Sequence, residues 1–319
     1  MFDEIVLAAA ILSDGTRAWA AGSGEVVFVD ATDTETRVVA HDGALLSATR
    51  APDGLGMISG GDDGRLVLTR PDGSVTVLFE QANSWIEPVV ASPISGFVAC
   101  GTGKTVVCFD IKTPHDTNTL PHDATVMGLA FNPNGRRVAV AHKGGASVWY
   151  ARGTGQSPVK LVWEGAHLLA AWSPDGRFVI TTMHDNMLHG WKLDEKADLR
   201  MAGYPSRIKS LAWLDSGKWL ATAGSAGAVI WPFDGKNGPM GRVATEVGFA
   251  EGSTVTCVCA LDGTRFAAGT SDGRIWVADL TTQHQHLLHH GAGVITALAG
   301  REHTLIWGDD RGQTGTCGI

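Results

Sequence analysis

Apolar residues in this chain come in short runs, and polar turns rich in glycine and aspartate separate them at regular intervals. One phrase recurs: an apolar strand, a turn carrying Asp-Gly or Asn-Gly, a second apolar strand, a Gly/Asp turn and a third strand. Ser-Pro-Asp-Gly-Arg-Phe-Val-Ile at 173–180 and Asn-Pro-Asn-Gly-Arg-Arg-Val-Ala at 132–139 are clear copies. Ala-Pro-Asp-Gly-Leu-Gly-Met-Ile at 51–58 and Leu-Asp-Gly-Thr-Arg-Phe-Ala-Ala at 261–268 repeat it. Glycine tolerates the positive φ that tight turns need, and the Asp or Asn side chain bonds to the backbone just ahead of it. The pattern therefore predicts hairpins of short strands along the whole chain.

The turn glycines Gly15, Gly54, Gly96, Gly135, Gly176, Gly217 and Gly263 are spaced 39, 42, 39, 41, 41 and 46 residues apart. An eighth copy, Val294–Ile319, has Arg301-Glu302 where the glycine should stand. A period near 40 with three or four strands per unit predicts the blades of a β-propeller, in which neighbouring sheets cover each other's apolar faces. The predicted fold is all-β, a single propeller domain over 1–319, with eight blades favoured and seven as the alternative. Its units are 1–42, 43–84, 85–123, 124–166, 167–206, 207–252, 253–291 and 292–319. Outer strands are legible at Thr36–Ala40, Val75–Phe79 and Lys160–Trp163, but none follows in the eighth unit. Met1 to Glu4 is too short to supply one, so the last unit is expected to have three strands.

These repeats resemble the WD-repeat family over essentially the whole chain. The family's Gly-His element is matched by His122-x-x-x-Val126 and His290-x-x-x-Val294, and loosely by His41 and His167. Its closing Trp-Asp survives in altered forms: Val29-Asp30, Phe109-Asp110, Trp149-Tyr150, Trp191-Lys192 and Ala278-Asp279. The resemblance implies a buried network of His, Ser/Thr, Trp and Asp, of which no unit clearly holds all four members. It also implies scaffolding, the binding of another protein without catalysis. The region 165–241 is similar to bacterial WD-repeat proteins connected with zinc limitation and CobW-type GTPases, which implies a metal-homeostasis role as the alternative function.

Composition narrows this further. A formal charge of −8, with no Lys/Arg-rich run, argues against a nucleic-acid partner. Five cysteines without a Cys-x-x-Cys pair read as reduced thiols of a cytoplasmic protein. The acidic start lacks the form of a secretory signal, and no apolar run is long enough to span a bilayer. The chain is expected to be monomeric, with no membrane partner and no cofactor.

Candidate chemistry is thin. Gly101-Thr-Gly-Lys-Thr105 resembles the end of a phosphate loop, but Val98 stands where the first glycine is needed and a strand follows, so a hairpin turn is the reading. His284, His286, His289 and His290 form a histidine-rich segment to which adventitious metal affinity is assigned, with His290 in the Gly-His role. The expected inner strands, among them Leu45–Ala51, Val126–Phe131 and Val255–Ala260, contain no Asp, Glu or His, and their only charges are Arg50 and Lys209. A channel so lined offers no acid/base pair, and the protein is expected not to be an enzyme.

The expected partner-binding face is the one formed by the turns between second and third strands and by the entries to the inner strands. It would carry Asp62, Asp63, Lys104, Lys143, His184, Asp185, Asn186, Asp272, Asp309 and Asp310. Met201, Tyr204, Arg207, Phe233 and Met240, in loops between 198 and 241, have the character of interface anchors. In the run Thr181–Trp191, Met183 and His189 are read as strand side chains, which leaves His184 and Asn186 at the turn.

Overall fold

The computed structural model describes residues 2–319 apart from 154, 156, 196, 249, 250 and 283. Its regular structure is almost wholly antiparallel strand, joined by short turns and loops. The first sheet holds β1 (Val6–Ile11), β2 (Arg17–Ala21), β3 (Glu25–Val29) and β4 (Glu35–Val39), and the second holds β5 (Leu45–Arg50), β6 (Met57–Gly61), β7 (Arg65–Thr69) and β8 (Val75–Glu80). The third comprises β9 (Val89–Ala91), β10 (Phe97–Thr102), β11 (Thr105–Asp110) and β12 (Asn118–Pro121). The fourth has six strands: β13 (Val126–Phe131), β14 (Arg137–Tyr150), β15 (Val159–Trp172), β16 (Phe178–Met183), β17 (Leu188–Lys192) and β18 (Ala197–Met201). The fifth holds β19 (Leu211–Leu214), β20 (Trp219–Thr222), β21 (Ala228–Pro232) and β22 (Thr245–Val247), with a 3-10 turn at Asp215–Gly217. The sixth holds β23 (Val255–Ala260), β24 (Arg265–Thr270), β25 (Arg274–Asp279) and β26 (Gln285–His290). The last holds β27 (Ile295–Arg301), β28 (Thr304–Asp309) and β29 (Thr314–Gly318).

The favoured count of eight blades is therefore corrected to seven, because the fourth and fifth repeat units share one six-stranded sheet. The first half of β14 pairs with β13 and its second half with β15; the far half of β15 pairs with β16. The physical reason lies at Lys143-Gly144-Gly145. Elsewhere an Asp closes the turn, as where Asp63 Oδ1 accepts the Arg65 amide at 3.0 Å and Asp309 Oδ1 accepts the Arg311 amide at 2.9 Å. At Lys143-Gly-Gly the two glycines, with φ of 90° and 135°, turn the chain back without such an acceptor, so that Ala151 N–H reaches the Arg136 carbonyl at 2.9 Å, and β15 then carries the sheet on from the fourth unit into the fifth. Lys143 pairs with Ala166 near the middle of β15, whose first half pairs with β14 and whose second half pairs with β16.

Each sheet is apolar on both faces, and the hydrophobic clusters lie between neighbours. Phe28, Leu45, Met57 and Val67 join the first two sheets, and Phe266 and Trp276 pack with Leu214 and Ile230 between the fifth and sixth. Closure of the ring uses the same device. Phe2, Val6 and Trp19 share a cluster with Ala297 and Ile306. The Trp19 indole N–H donates to the Trp307 carbonyl at 3.0 Å, and Thr296 Oγ1 donates to the Val6 carbonyl at 2.6 Å. The three-stranded last sheet agrees with the sequence expectation. Among the described residues, no helix is long and apolar enough to cross a membrane.

The seam is tight enough to test. A Cβ on Gly308 would lie 2.4 Å from Val6 Cγ1, whereas one on Gly318 would meet nothing within 4 Å. Gly308→Ala should cost about 1–3 kcal/mol by overpacking. Gly318→Ala should stay within about 0.5 kcal/mol. Urea unfolding of the two variants beside the parent checks the difference.

Candidate functional site

One face of the ring is built from the b–c turns and the loops that lead from each sheet into the next. Backbone bonds lock these two sets together: Asp62 N–H to the Ala44 carbonyl (3.0 Å), His184 N–H to Ala166 (3.0 Å) and Asp310 N–H to Val294 (2.9 Å). The face is therefore a rigid rim, and most of the predicted surface residues sit on it. His184 and Asp185 are exposed neighbours, with His184 Nδ1 3.8 Å from Asp185 Oδ1. Asn186 occupies the turn with φ 54° and reaches the Pro205 carbonyl. Lys143, Arg207 and Asp310 are exposed, and Asp310 Oδ1 accepts the Val294 amide at 2.8 Å.

Others on that list are engaged internally. Asp63 takes hydrogen bonds from His41 and Arg65, and Asp272 is held by Thr270, Ser253 and Arg274. These partners hold both carboxyl groups below the usual carboxylate range against the opposing effect of burial. Tyr204 is buried: its hydroxyl meets Thr222 Oγ1 at 2.6 Å and accepts the Trp231 indole N–H at 2.6 Å. Met201 and Phe233 pack with it in one core cluster, and of the aromatic and methionine anchors expected in these loops only Met240 is exposed.

Tyr204 explains what the resemblance left incomplete. In the unit of β13 and β14, His122 Nε2 meets Ser147 Oγ at 2.9 Å, and the Trp149 indole N–H points at the same imidazole from 3.1 Å. In the second sheet His41 bridges Ser59 Oγ (2.9 Å) and Asp63 Oδ1 (3.1 Å). Tyr204, Thr222 and Trp231 form the same triangle with a phenol in place of the imidazole. His167 meets Thr181 at 2.7 Å in its own unit, while His189 stacks on Trp163 with ring centroids 4.0 Å apart. His290 is exposed on β26, contrary to the Gly-His role expected of it; His289 stacks on Trp307 instead, at 4.1 Å. Cys100, Cys108 and Cys257 are buried, and burial pushes Cys100 and Cys257 up to about 12, so they are inert core thiols.

The channel mouth on this face was missed by reading the inner strands for charge alone. Several inner strands begin with a bulge, at Val6/Ala8, Leu45/Ser47, Val126/Gly128, His167/Ala170, Val255/Cys257 and Ile295/Ala297. A bulge re-aims the extra residue. On one side of the ring these residues include Thr256 and Thr296, whose hydroxyls bond to the Ile295 and Val6 carbonyls. On the other they include Leu46, Met127 and Leu169, which line a cleft of 650 Å³ together with Trp85 and Glu87 from the loop between β8 and β9. Trp85 is 65% exposed and Met127 44%. The only advance signal was a tryptophan inside the non-periodic stretch Asn83-Ser-Trp-Ile-Glu87. The opposite mouth carries Arg50 and Arg301, each donating to a backbone carbonyl of the first sheet.

Two outcomes follow for the buried networks. Tyr204→Phe leaves Thr222 and the Trp231 indole short of a partner and should cost about 1–3 kcal/mol in urea unfolding. Burial pushes His122 down to about 4 and also lowers His41, His167 and His189. Their unfolded counterparts titrate near ~6.5, so between those limits the unfolded chain binds more protons. Stability should be full above pH ~6.5 and fall as pH is lowered from there, with a shallower fall in His122→Asn. Melting temperatures from pH 7.5 to 5 measure it.

Comparison with known proteins agrees with this architecture. Residues 115–149 match the family model described as WD domain, G-beta repeat. The ribosome biogenesis protein WDR12 homolog of Drosophila mojavensis is 27% identical over 118 residues, 35% of this chain and 28% of that protein. The small ribosomal subunit protein RACK1 of Schizosaccharomyces pombe is 24% identical over 153 residues, 48% of this chain and 39% of that protein. The aligned part is thus well under half the length of either relative. Among solved structures, the computationally designed Ika8 protein superposes with a TM-score of 0.82 at 19% identity, over 100% of this chain and 97% of that one, which speaks to the fold alone. The repeat match over 115–149, the two relatives and the ring of sheets together support a seven-bladed β-propeller similar to the WD-repeat type.

Proposed function

We propose that this propeller is a non-catalytic scaffold that binds another protein through the face of the b–c turns and inter-sheet loops. The observation that carries the reading is the group of Trp85, Met127 and Leu169, large apolar side chains left exposed together on a rigid mouth. Single exposed apolar residues are ordinary, but a tryptophan and a methionine sharing one cleft are the residue types that anchor interfaces. Around them His184, Asp185, Asn186, Arg207, Lys143 and Asp310 supply a polar rim. Tyr204, Asp63 and Asp272 act from beneath by holding the loops in place. The names of both relatives refer to ribosomal assemblies, which fits a scaffold, and a formal charge of −8 favours a partner with a basic surface.

The zinc-homeostasis alternative has no comparable support. Among the described residues, no three His, Cys, Asp or Glu side chains are placed to hold a metal ion.

The test is affinity purification from cells expressing the tagged chain, with Met127→Glu/Leu169→Glu compared with Ile94→Glu. Ile94 is 73% exposed in the turn between β9 and β10, on the opposite face. The wild type and Ile94→Glu should return the same partners, and the double variant should lose them by about tenfold or more, the scale of a disrupted interface centre. Equal recovery with all three proteins would remove this face from the proposal.

A further inference from the structure

The loop from β8 to β9 is pinned at several points by backbone bonds. Gln81 N–H donates to the Gly64 carbonyl (2.9 Å), Ile86 N–H to Gly61 (3.0 Å) and Glu87 N–H to Gly101 (3.0 Å). Ile86 is fully buried between the second and third sheets. Its two neighbours face outward: Trp85 is 65% exposed, and Glu87 reaches solvent at the edge of the same 650 Å³ cleft. The anchored Ile86 prevents Trp85 from turning inward, so its exposure is built into the loop.

Glu87 differs from the paired acids of this face, and unlike Asp62, exposed and equally unpaired among the described residues, it lines the cleft. Asp63 is compensated by Arg65 and His41, Asp272 by Arg274, and Asp309 by backbone amides. Glu87 has no ion-pair partner among the described residues; Lys104, the basic residue nearest in sequence to the cleft lining, is not paired with it. Although the carboxyl touches solvent, surrounding protein raises its pKa above the ordinary carboxylate value. The cleft thus combines an indole face, an apolar floor of Leu46, Met127 and Leu169, and one uncompensated acid.

We infer that this cleft receives a Lys or Arg side chain from the partner, flanked there by apolar residues. The aliphatic stem lies on Met127 and Leu169, the cation pairs with Glu87, and Trp85 offers its π face. The inference rests on the scaffold reading and narrows it, by assigning the chemistry of the inserted group. The net charge of −8 acts in the same direction by steering cationic segments toward the protein. A free carboxylate or phosphate would meet Glu87 with the wrong sign, and a purely apolar insert would leave its charge desolvated and unpaired.

The probe is a random heptapeptide library displayed on phage and selected on the full chain, with enriched sequences then made as labelled peptides for fluorescence anisotropy. Enriched peptides should carry Lys or Arg beside apolar residues. Their Kd should rise roughly tenfold or more with Glu87→Gln, with Trp85→Ala, or when the peptide's basic residue becomes Gln. Ile94→Glu, on the opposite face, should leave it unchanged, and unaltered melting curves for Glu87→Gln and Trp85→Ala exclude misfolding as the cause. Failure to enrich, peptides without a basic residue, or binding indifferent to Glu87→Gln overturns the inference. If binding is lost with Met127→Glu but kept with Glu87→Gln, the scaffold face stands and its cation specificity falls. Binding indifferent to every variant on this face removes the scaffold reading as well.

Discussion

Everything in this molecule depends on sheets covering one another around a closed ring. A four-stranded sheet that is apolar on both faces is not stable alone, and each cluster here is shared by neighbours. The ring must close without a lent outer strand in the last sheet, which has only β27 to β29. Closure falls to side chains instead. Phe2 and Val6 fill the seam, the Trp19 indole and the Thr296 hydroxyl reach across it, and Phe2 N–H donates to the Gly312 carbonyl at 2.9 Å. Arg37 lies over the Phe2 ring at 5.2 Å while its guanidinium pairs with Glu25 and Glu35. Because the seam is packed rather than paired by a shared strand, its glycine at 308 is a point of close approach.

That constraint also decides where function can sit. Sheet faces are consumed by packing and most outer strands carry charge, as in Glu35 and Arg37 of β4 or Asp198 and Arg200 of β18. What remains available is the two ends of the ring. At one end, Arg50 and Arg301 spend their guanidinium groups on carbonyls of the first sheet. At the other, the bulged entries of the inner strands leave half of the mouth apolar and half sealed by threonine hydroxyls bonded to the next sheet. The asymmetry has a plain origin: Leu46, Met127 and Leu169 occupy positions comparable to those of Thr256 and Thr296, and an apolar side chain has no hydroxyl to donate to the next sheet's carbonyl.

The repeat and its turns were legible because Asp-Gly dictates local geometry whatever surrounds it. Merging of the fourth and fifth units was not, since it depends on β15 pairing with β14 through one half and with β16 through the other, which no local motif announces. Candidate site residues divided along a similar line. Turn-tip residues such as His184, Asp185 and Lys143 lie exposed at the positions that the repeat register gives them. Tyr204 looked like an interface anchor because a loop tyrosine beside Met201 has that character. Its burial depends on Thr222 and Trp231, 18 and 27 residues away, which converge only in the folded sheet. Trp85 shows the converse, since only the buried Ile86 beside it reveals that the indole must face water.

The buried triangles and the open cleft are two answers to one electrostatic problem. A polar group placed among apolar sheets must find a partner or cost stability. His41, His122 and Tyr204 each find partners in the repeat unit that follows, and each thereby fixes a loop on this face. The residue types differ but the requirement is the same, one ring that joins a strand hydroxyl to an indole or a turn carboxylate. Glu87 stands on a loop held just as firmly, yet its carboxylate is left without a counter-charge. Rigid scaffolding around an acid that has no counter-charge is preorganisation: the loop is ordered in folding, so a cation arriving on an apolar stem meets a carboxylate already in place and has only water to displace.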